Sequence, residues 1–83
     1  MKGTIELMSP RQAMIGVRIE NAGFSVLELL GEYSPELGDV VSGALENLGR
    51  EMVKNLTRGE TWNVFIQDIH GSKESAKKLI SQH

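Results

Sequence analysis

The sequence predicts one small, mainly antiparallel β domain that ends in a short helix. Three early segments alternate apolar and polar residues, a fourth such segment lies near the C-terminus, and a short amphipathic segment follows it. Alternation with a period of two is typical of strands with one buried face. A length of 83 residues is that of a single domain, so we interpret residues 1–83 as one folding unit.

The first three strands are predicted to form a meander with short connections. The first covers residues 3–8, with Ile5 and Leu7 on one face. It ends before Pro10, because proline cannot donate a hydrogen bond to a neighbouring strand. The second and third cover residues 14–20, with Ile15, Val17 and Ile19 on one face, and residues 24–30.

Residues 38–60 fit two different structures. Their apolar residues recur at spacings of three and four, as on one stripe of a helix: Val41, Leu45, Leu48, Met52 and Leu56. Gly43 and Gly49 oppose a helix, because each costs about 1 kcal/mol relative to alanine in a helix interior. Gly49 also lies where a hairpin would turn. The residue pattern leaves helix and hairpin open. Before this stretch, Ser34 and Pro35 have the residue types that begin a helical turn.

The C-terminal third predicts a strand followed by a helix. In residues 61–69, Trp62, Val64 and Ile66 share one strand face. Ser72 is the predicted cap of a helix that covers residues 73–80. A helix of this length is marginal in isolation, so we expect it to dock on the sheet through its apolar patch, which consists of Ala76, Leu79 and Ile80.

Composition and charge restrict the possible functions. The net charge is −2, and residues 19–49 contain six acidic residues and no Lys or Arg. A polyanion would therefore be repelled by the middle of the chain and attracted only by its ends. The chain has no cysteine, which excludes disulfides and thiolate metal sites. Without an apolar run of membrane-spanning length or an apolar signal segment, we expect a cytoplasmic protein with no membrane partner.

Three short stretches resemble cold-shock domains. The opening Lys2-Gly3-Thr4-Ile5 looks like their K-G-T-V or K-G-T-I first strand, Gly38-Asp39-Val40-Val41 looks like E-G-x-x-V, and residues 49–57 are similar to G-P-Q-A-A-N-V-T. The resemblance covers roughly residues 2–58. It implies an OB-like five-stranded antiparallel barrel, and it favours the hairpin, with residues 39–47 leading out and residues 50–57 returning.

On this interpretation, residues 1–83 form a single OB-like domain. Residues 2–58 are the barrel core, residues 61–69 add an extra strand, and residues 72–81 include the C-terminal helix. The stacking aromatics of the family are absent. Met14-Ile15-Gly16-Val17 replaces G-F-G-F, and Ser25-Val26-Leu27-Glu28 replaces F-V-H-F.

The resemblance implies binding of single-stranded RNA or DNA. Since the stacking face is lost, the expected contacts are basic residues at one rim of the barrel with an aromatic platform: Lys2, Arg18, Lys54 and Arg58, with Phe24 or Trp62. The alternative for Phe24 and Trp62 is a place in the core, which is favoured because the chain has only four aromatic residues to fill it. The alternative function is a protein-interaction module or homodimer. It would use an apolar face that the replaced positions would form if exposed: Ile15, Val17, Val26 and Leu27. The acidic middle of the chain favours this alternative.

The sequence gives little support for a catalytic, metal or cofactor site. There is no cysteine nucleophile and no G-x-S-x-G motif, so we do not expect an enzyme or a small-molecule substrate. Asp68 and His70 are two residues apart on one predicted strand face, and His83 lies at the end of the chain. They do not supply a full metal shell. No phosphate-binding glycine loop is present, and we expect no cofactor.

Overall fold

Six strands form a closed antiparallel barrel, and one helix packs against its outside. The computed structural model describes residues 1–81. The elements in chain order are β1 (Lys2–Met8), β2 (Met14–Ile19), β3 (Gly23–Leu29), β4 (Val40–Ser42), β5 (Gly49–Asn55), β6 (Glu60–Gly71) and α1 (Lys73–Ser81). The strands pair in the order β1-β2-β3-β6-β5-β4, and β4 closes the barrel on β1. The predicted mainly-β, OB-like barrel with a short C-terminal helix is confirmed.

The ambiguous middle of the chain forms a hairpin, as the cold-shock resemblance favoured, but its outgoing strand is shorter than the predicted residues 39–47. β4 and β5 pair antiparallel, with Val41 opposite Asn55, and residues 43–48 connect them. In this loop Leu45 reaches the barrel core, and its carbonyl accepts a hydrogen bond of 2.7 Å from Ser25 Oγ. Leu48 and Met52 are exposed, so the apolar residues do not share one buried helical stripe. Residues 34–36 do not form the helical turn that their types allowed.

The sixth strand is a full member of the barrel wall. β6 has 12 residues and pairs with β3 along one edge and with β5 along the other. The barrel therefore has six strands in its wall, whereas the sequence predicted five with an added one. β6 lies next to two strands that are distant from each other in the chain.

The barrel interior is filled by apolar side chains from all six strands and the loop before β5: Ile5, Ile15, Val17, Ile19, Leu27, Leu29, Val41, Leu45, Val53, Trp62, Val64 and Ile66. One predicted face is wrong. Ile5 points into the barrel, but Leu7 packs in a second cluster outside it. The reason is a register shift in β1 between Ile5 and Leu7, because an extra residue in a strand reverses the alternation that follows.

The helix packs on part of the outer surface of β2 and β3. Ser72 caps it as predicted, accepting a 3.1 Å hydrogen bond from the Ser75 backbone N–H. Ala76 and Ile80 are buried against the outward side chains of β2 and β3. Gly16 permits this close approach, since a Cβ there would lie 3.1 Å from Ile80 Cδ1 and 2.9 Å from Leu7 Cβ of β1. Part of the second-strand outer face is therefore covered by α1.

Candidate functional site

The two aromatic residues predicted as a stacking platform are buried. Trp62 is 0% exposed inside the barrel, and Phe24 is 7% exposed in the cluster beneath α1. The Trp62 ring stacks on Tyr33 with 5.4 Å between ring centroids, and its Nε1 donates to Glu60 Oε1 at 3.0 Å. Base stacking needs an open ring face, so neither residue is available as a platform in this structure.

Two of the four predicted cations are held in ion pairs. Arg18 Nε donates to Glu6 Oε2, and this hydrogen bond, with the negative charge of Glu6, raises the pKa of Arg18. Arg58 pairs with Glu36 and, at 3.3 Å, with Asp39. A nucleic-acid phosphate would have to displace these carboxylates. Arg18 and Arg58 are thus poorly placed for the role that the sequence predicted.

The Arg58 pairs belong to a polar network that joins the loop before β4 to the turn after β5. Asp39 Oδ2 also accepts from Asn55 Nδ2 at 2.8 Å and from the Glu36 backbone N–H at 3.2 Å. Asn55 Oδ1 accepts from the Arg58 backbone N–H at 3.0 Å. Asp39 and Asn55 are buried, and no buried side-chain polar atom in residues 1–81 lacks a partner. A satisfied network of this kind stabilises a fold.

The other two predicted cations come together on the outer surface. Lys2 lies opposite Ser42 in β4, and Ser42 lies opposite Lys54 in β5. Directly opposed residues of paired strands point to the same face, so the two lysines flank Ser42 at about two strand spacings, or ~10 Å. Both lysines are exposed. Lys2 also lines a small depression together with Arg18, but Arg18 is held by Glu6. The two lysines are thus the part of the predicted nucleic-acid site that the fold brings together without an ion-pair partner in the described chain.

The four residues of the predicted apolar interface are also buried. Ile15, Val17 and Leu27 point into the barrel, and Val26 lies beneath α1. The exposed patch that the sequence analysis considered is therefore not formed by these residues. On these strands the inward side chains fill the barrel, and the outward side chains of Met14, Phe24 and Val26 lie beneath α1. The outward Arg18 and Glu28 are not part of the cluster beneath the helix.

A different apolar surface lies on the outside of the three strands β3, β6 and β5. We call it the β3–β6–β5 face. Met52 is 62% exposed, Leu30 40% and Phe65 38%. Apolar side chains of this size are usually buried, and their grouping on one face distinguishes this surface from scattered exposed residues. The face comprises Glu28, Leu30, Arg50, Met52, Asn63 and Phe65.

Strand pairing arranges the β3–β6–β5 face in two rows. In the first row, Phe65 of β6 lies between Arg50 of β5 and Glu28 of β3. In the second row, Asn63 lies beside Met52. The backbone carbonyl of Asn63 accepts a 2.9 Å hydrogen bond from the Leu30 backbone N–H. The first row runs across three neighbouring strands, and the second ends at Leu30, the residue that follows β3. β6 forms the centre of both rows.

The second row borders a shallow concavity of about 340 Å³. Its lining includes Leu30 on one side and Met52 and Arg50 on the other, with Asn63 between them. The concavity is open, so it would leave a small molecule largely exposed, whereas a protruding side chain of a partner protein fits it.

The charges of the first row are not neutralised within the described chain. Arg50 and Glu28 take part in none of the ion pairs among residues 1–81. The Glu28 carboxylate accepts a 2.7 Å hydrogen bond from Gln67 Nε2. Because a whole strand separates Arg50 from Glu28, their Cα atoms are about 10 Å apart. The face thus carries one cation and one carboxylate, one on each side of Phe65.

Sequence reasoning did not identify the β3–β6–β5 face, although part of the signal was present. Since Trp62, Val64 and Ile66 were expected to share the inner face of a strand, the alternation places Phe65 outside. No comparable signal connects Phe65 with Met52 or Leu30. Their proximity depends on the register of β6 with β5 and β3, which a single sequence does not specify.

A second depression, of about 510 Å³, lies between β1 and α1. Its lining combines apolar side chains with charged residues of the helix: Leu7, Met8, Pro10, Glu74, Lys77, Lys78, Ile80 and Ser81. It is larger than the concavity on the β3–β6–β5 face. Its boundary reaches Ser81, the last described residue, and nothing in the described chain indicates an occupant.

Asp68 and His70, which the sequence analysis considered as a ligand pair without predicting a metal site, are not part of a larger group of ligands within the described chain. His70 Nδ1 lies 3.2 Å from Glu46 Oε2 and 3.3 Å from the Ala22 carbonyl oxygen. Within residues 1–81, no three His, Asp or Glu side chains are grouped so that they could hold a metal ion. The third residue considered, His83, lies outside the described residues.

In the described part of the chain, no helix has both the length and the apolar character needed to cross a membrane.

Comparison with known proteins does not assign the chain to a family. The resemblance to cold-shock domains stays a prediction from short stretches of sequence. No protein-family model, curated protein or solved structure matches this chain.

Proposed function

We propose that this protein is an interaction module that binds another protein chain through the β3–β6–β5 face. The observation that carries the proposal is the grouping of three exposed apolar side chains, Leu30, Met52 and Phe65, beside the unpaired Arg50. Aromatic residues, methionine and arginine are enriched in the centres of protein–protein interfaces. This is the second of the two functions considered from the sequence, moved to a different surface.

The backbone beneath this face is suited to binding. Seven consecutive pairs join β5 to β6, so Arg50, Met52 and Phe65 stand on continuous hydrogen-bonded strands. Residues held on rigid elements lose little conformational freedom when they bind. The mixed composition of the face, with Glu28 and Asn63 among the apolar groups, suits a partner that carries both apolar and charged side chains.

Site-specific photo-crosslinking in cells tests the proposal. A photoreactive amino acid replaces Met52, and in a matched control it replaces Lys2, which lies on β1 and thus three strands away from β6 in either direction around the barrel. We expect one discrete covalent adduct from position 52 and none of the same mass from position 2. Absence of a discrete adduct at 52, with the protein folded and abundant, would reject the proposal.

Binding of single-stranded nucleic acid is the second candidate, and one observation favours it. Lys2 and Lys54 flank Ser42, and Arg50 continues the cationic line along β5. Because Arg18 and Arg58 are held by carboxylates, the basic contacts proposed here are Lys2, Lys54 and Arg50.

Fluorescence anisotropy with labelled oligo-U and oligo-dT measures this second activity. Binding through these cations should weaken steeply with salt. The double variant Lys2→Glu, Lys54→Glu should lose it, whereas Lys77→Glu, a single charge reversal on α1, should bind like the wild type. Binding that is insensitive to both salt and the double variant would exclude this surface, and no binding at low salt would exclude the activity.

A further inference from the structure

We infer that the partner of the β3–β6–β5 face is a second copy of this chain, related by a two-fold axis parallel to β6. The inference rests on the proposed function, since it names the partner for the same face. The inference is based on the order of residues in the two rows. A two-fold rotation about β6 places the two ends of each row opposite each other, and these ends are complementary.

The first row is complementary in charge. Its order across the strands is Arg50, Phe65, Glu28, with each neighbour about 4.8 Å from the next. A two-fold axis that lies in the interface along β6 exchanges the two sides of the row. Arg50 of one copy then faces Glu28 of the other, and Glu28 of the first faces Arg50 of the second. Phe65 lies on the axis and meets its own counterpart.

The second row is complementary in apolar character. Its order is Met52, Asn63, Leu30, and the same axis places Met52 of one copy over Leu30 of the other. The two asparagines meet at the axis, where each side-chain amide can donate to and accept from the other. One symmetry operation thus satisfies both rows, as an interface between identical patches requires.

The complementary residues of the first row form no ion pair within a single chain. Within the described residues, Arg50 and Glu28 form no ion pair, and the ring of Phe65 lies between them. In the dimer each charge gains an opposite charge beside an apolar centre that excludes water. Interfacial ion pairs of this kind fix the orientation of the partner. An axis in the interface that is perpendicular to β6 and passes through the first row would instead place Arg50 over Arg50, which like-charge repulsion opposes. Such an axis midway between the rows would place Arg50 over Met52 and Glu28 over Leu30, which gives neither charge a partner.

Sedimentation equilibrium over a concentration series tests the inference. We expect the wild type to dimerise, and each single reversal, Arg50→Glu or Glu28→Arg, to weaken dimerisation by about tenfold or more, because it places like charges opposite each other. The double variant Arg50→Glu, Glu28→Arg should recover dimerisation, since it restores an opposite pair across the axis. Lys2→Glu makes the same charge change as Arg50→Glu on the far side of the barrel and should leave dimerisation unchanged. Circular dichroism verifies that each variant is folded.

Several outcomes would overturn the inference. A wild type that stays monomeric at millimolar concentration excludes the second copy. So does a double variant that is folded but no better a dimer than the single reversals. The crosslinking experiment separates this failure from that of the proposed function. An adduct of twice the chain mass supports the second copy, an adduct with a different protein retains the proposed function and rejects the inference, and no adduct rejects both.

Discussion

Replacement of Trp62 by alanine tests whether this ring belongs to the core or to a ligand surface. Trp62 is fully buried, stacks on Tyr33 and donates a hydrogen bond to Glu60. Truncation of a buried tryptophan costs about 3–5 kcal/mol. At about 0.05–0.15 kcal/mol per residue, an 83-residue chain has a free energy of unfolding of roughly 4–12 kcal/mol. The variant should therefore lose a large part of its stability.

The measurement is urea unfolding followed by far-ultraviolet circular dichroism, because the variant lacks the tryptophan fluorophore. Phe65→Ala is the matched control, since Phe65 lies on the same strand with its ring on the outer face, and it should cost clearly less than Trp62→Ala. If Trp62→Ala is too unstable to study, Trp62→Phe should still cost about 1–3 kcal/mol through lost packing and the lost hydrogen bond. A loss below that of Phe65→Ala would mean that the tryptophan is not a core residue, and the stacking hypothesis would return.

Three further variants probe the parts that hold the barrel together. Asn55→Ala should lower the free energy of unfolding by about 1–3 kcal/mol, because buried Asp39 loses a donor; an unchanged urea midpoint would contradict the network. Ile80→Ala should cost about 2–4 kcal/mol and speed hydrogen exchange in β2 and β3, and protection that stays at wild-type level would mean that α1 does not cover them. Gly23→Ala should lower the melting temperature by at least about 4 °C, because Gly23 has φ of +76° and a Cβ there would lie 2.7 Å from the Gly71 carbonyl oxygen; equal melting by calorimetry would refute this.

If the dimer forms, the acidic middle of the chain acquires a role that its composition alone did not define. Glu28 lies in that acidic segment, and it would face Arg50, the first cation that follows the segment in the sequence. The dimer would leave two cations outside the six residues of the face: Lys2 on β1, and Lys54 two residues beyond Met52 on β5. Because Arg50 would be engaged in the dimer, the nucleic-acid surface that remains compatible with it is limited to Lys2 and Lys54. The variants described above distinguish the two functions.

Most secondary structure was determined by local sequence. Alternation over residues 14–20 and 61–69, the Ser72 cap and the patch of Ala76, Leu79 and Ile80 predicted strands and a helix that the structure confirms. These signals are local because each depends on the period of one element or on a hydrogen bond within one turn. For residues 38–60, the local pattern fitted both a helix and a hairpin, and the structure forms the hairpin.

The tertiary structure alone decided which residues are accessible and which are neighbours. Trp62 and Phe24 have the same chemistry inside or outside a barrel, and their burial followed from closure and from the docking of α1. The extra residue in β1 separated Ile5 from Leu7, although alternation predicted that they share a face. Arg50 and Phe65 come from consecutive strands, whereas Glu28 comes from β3, which is distant from both in the chain. Hydrogen-bond register between the three strands, which no local pattern encodes, aligned the three residues in one row.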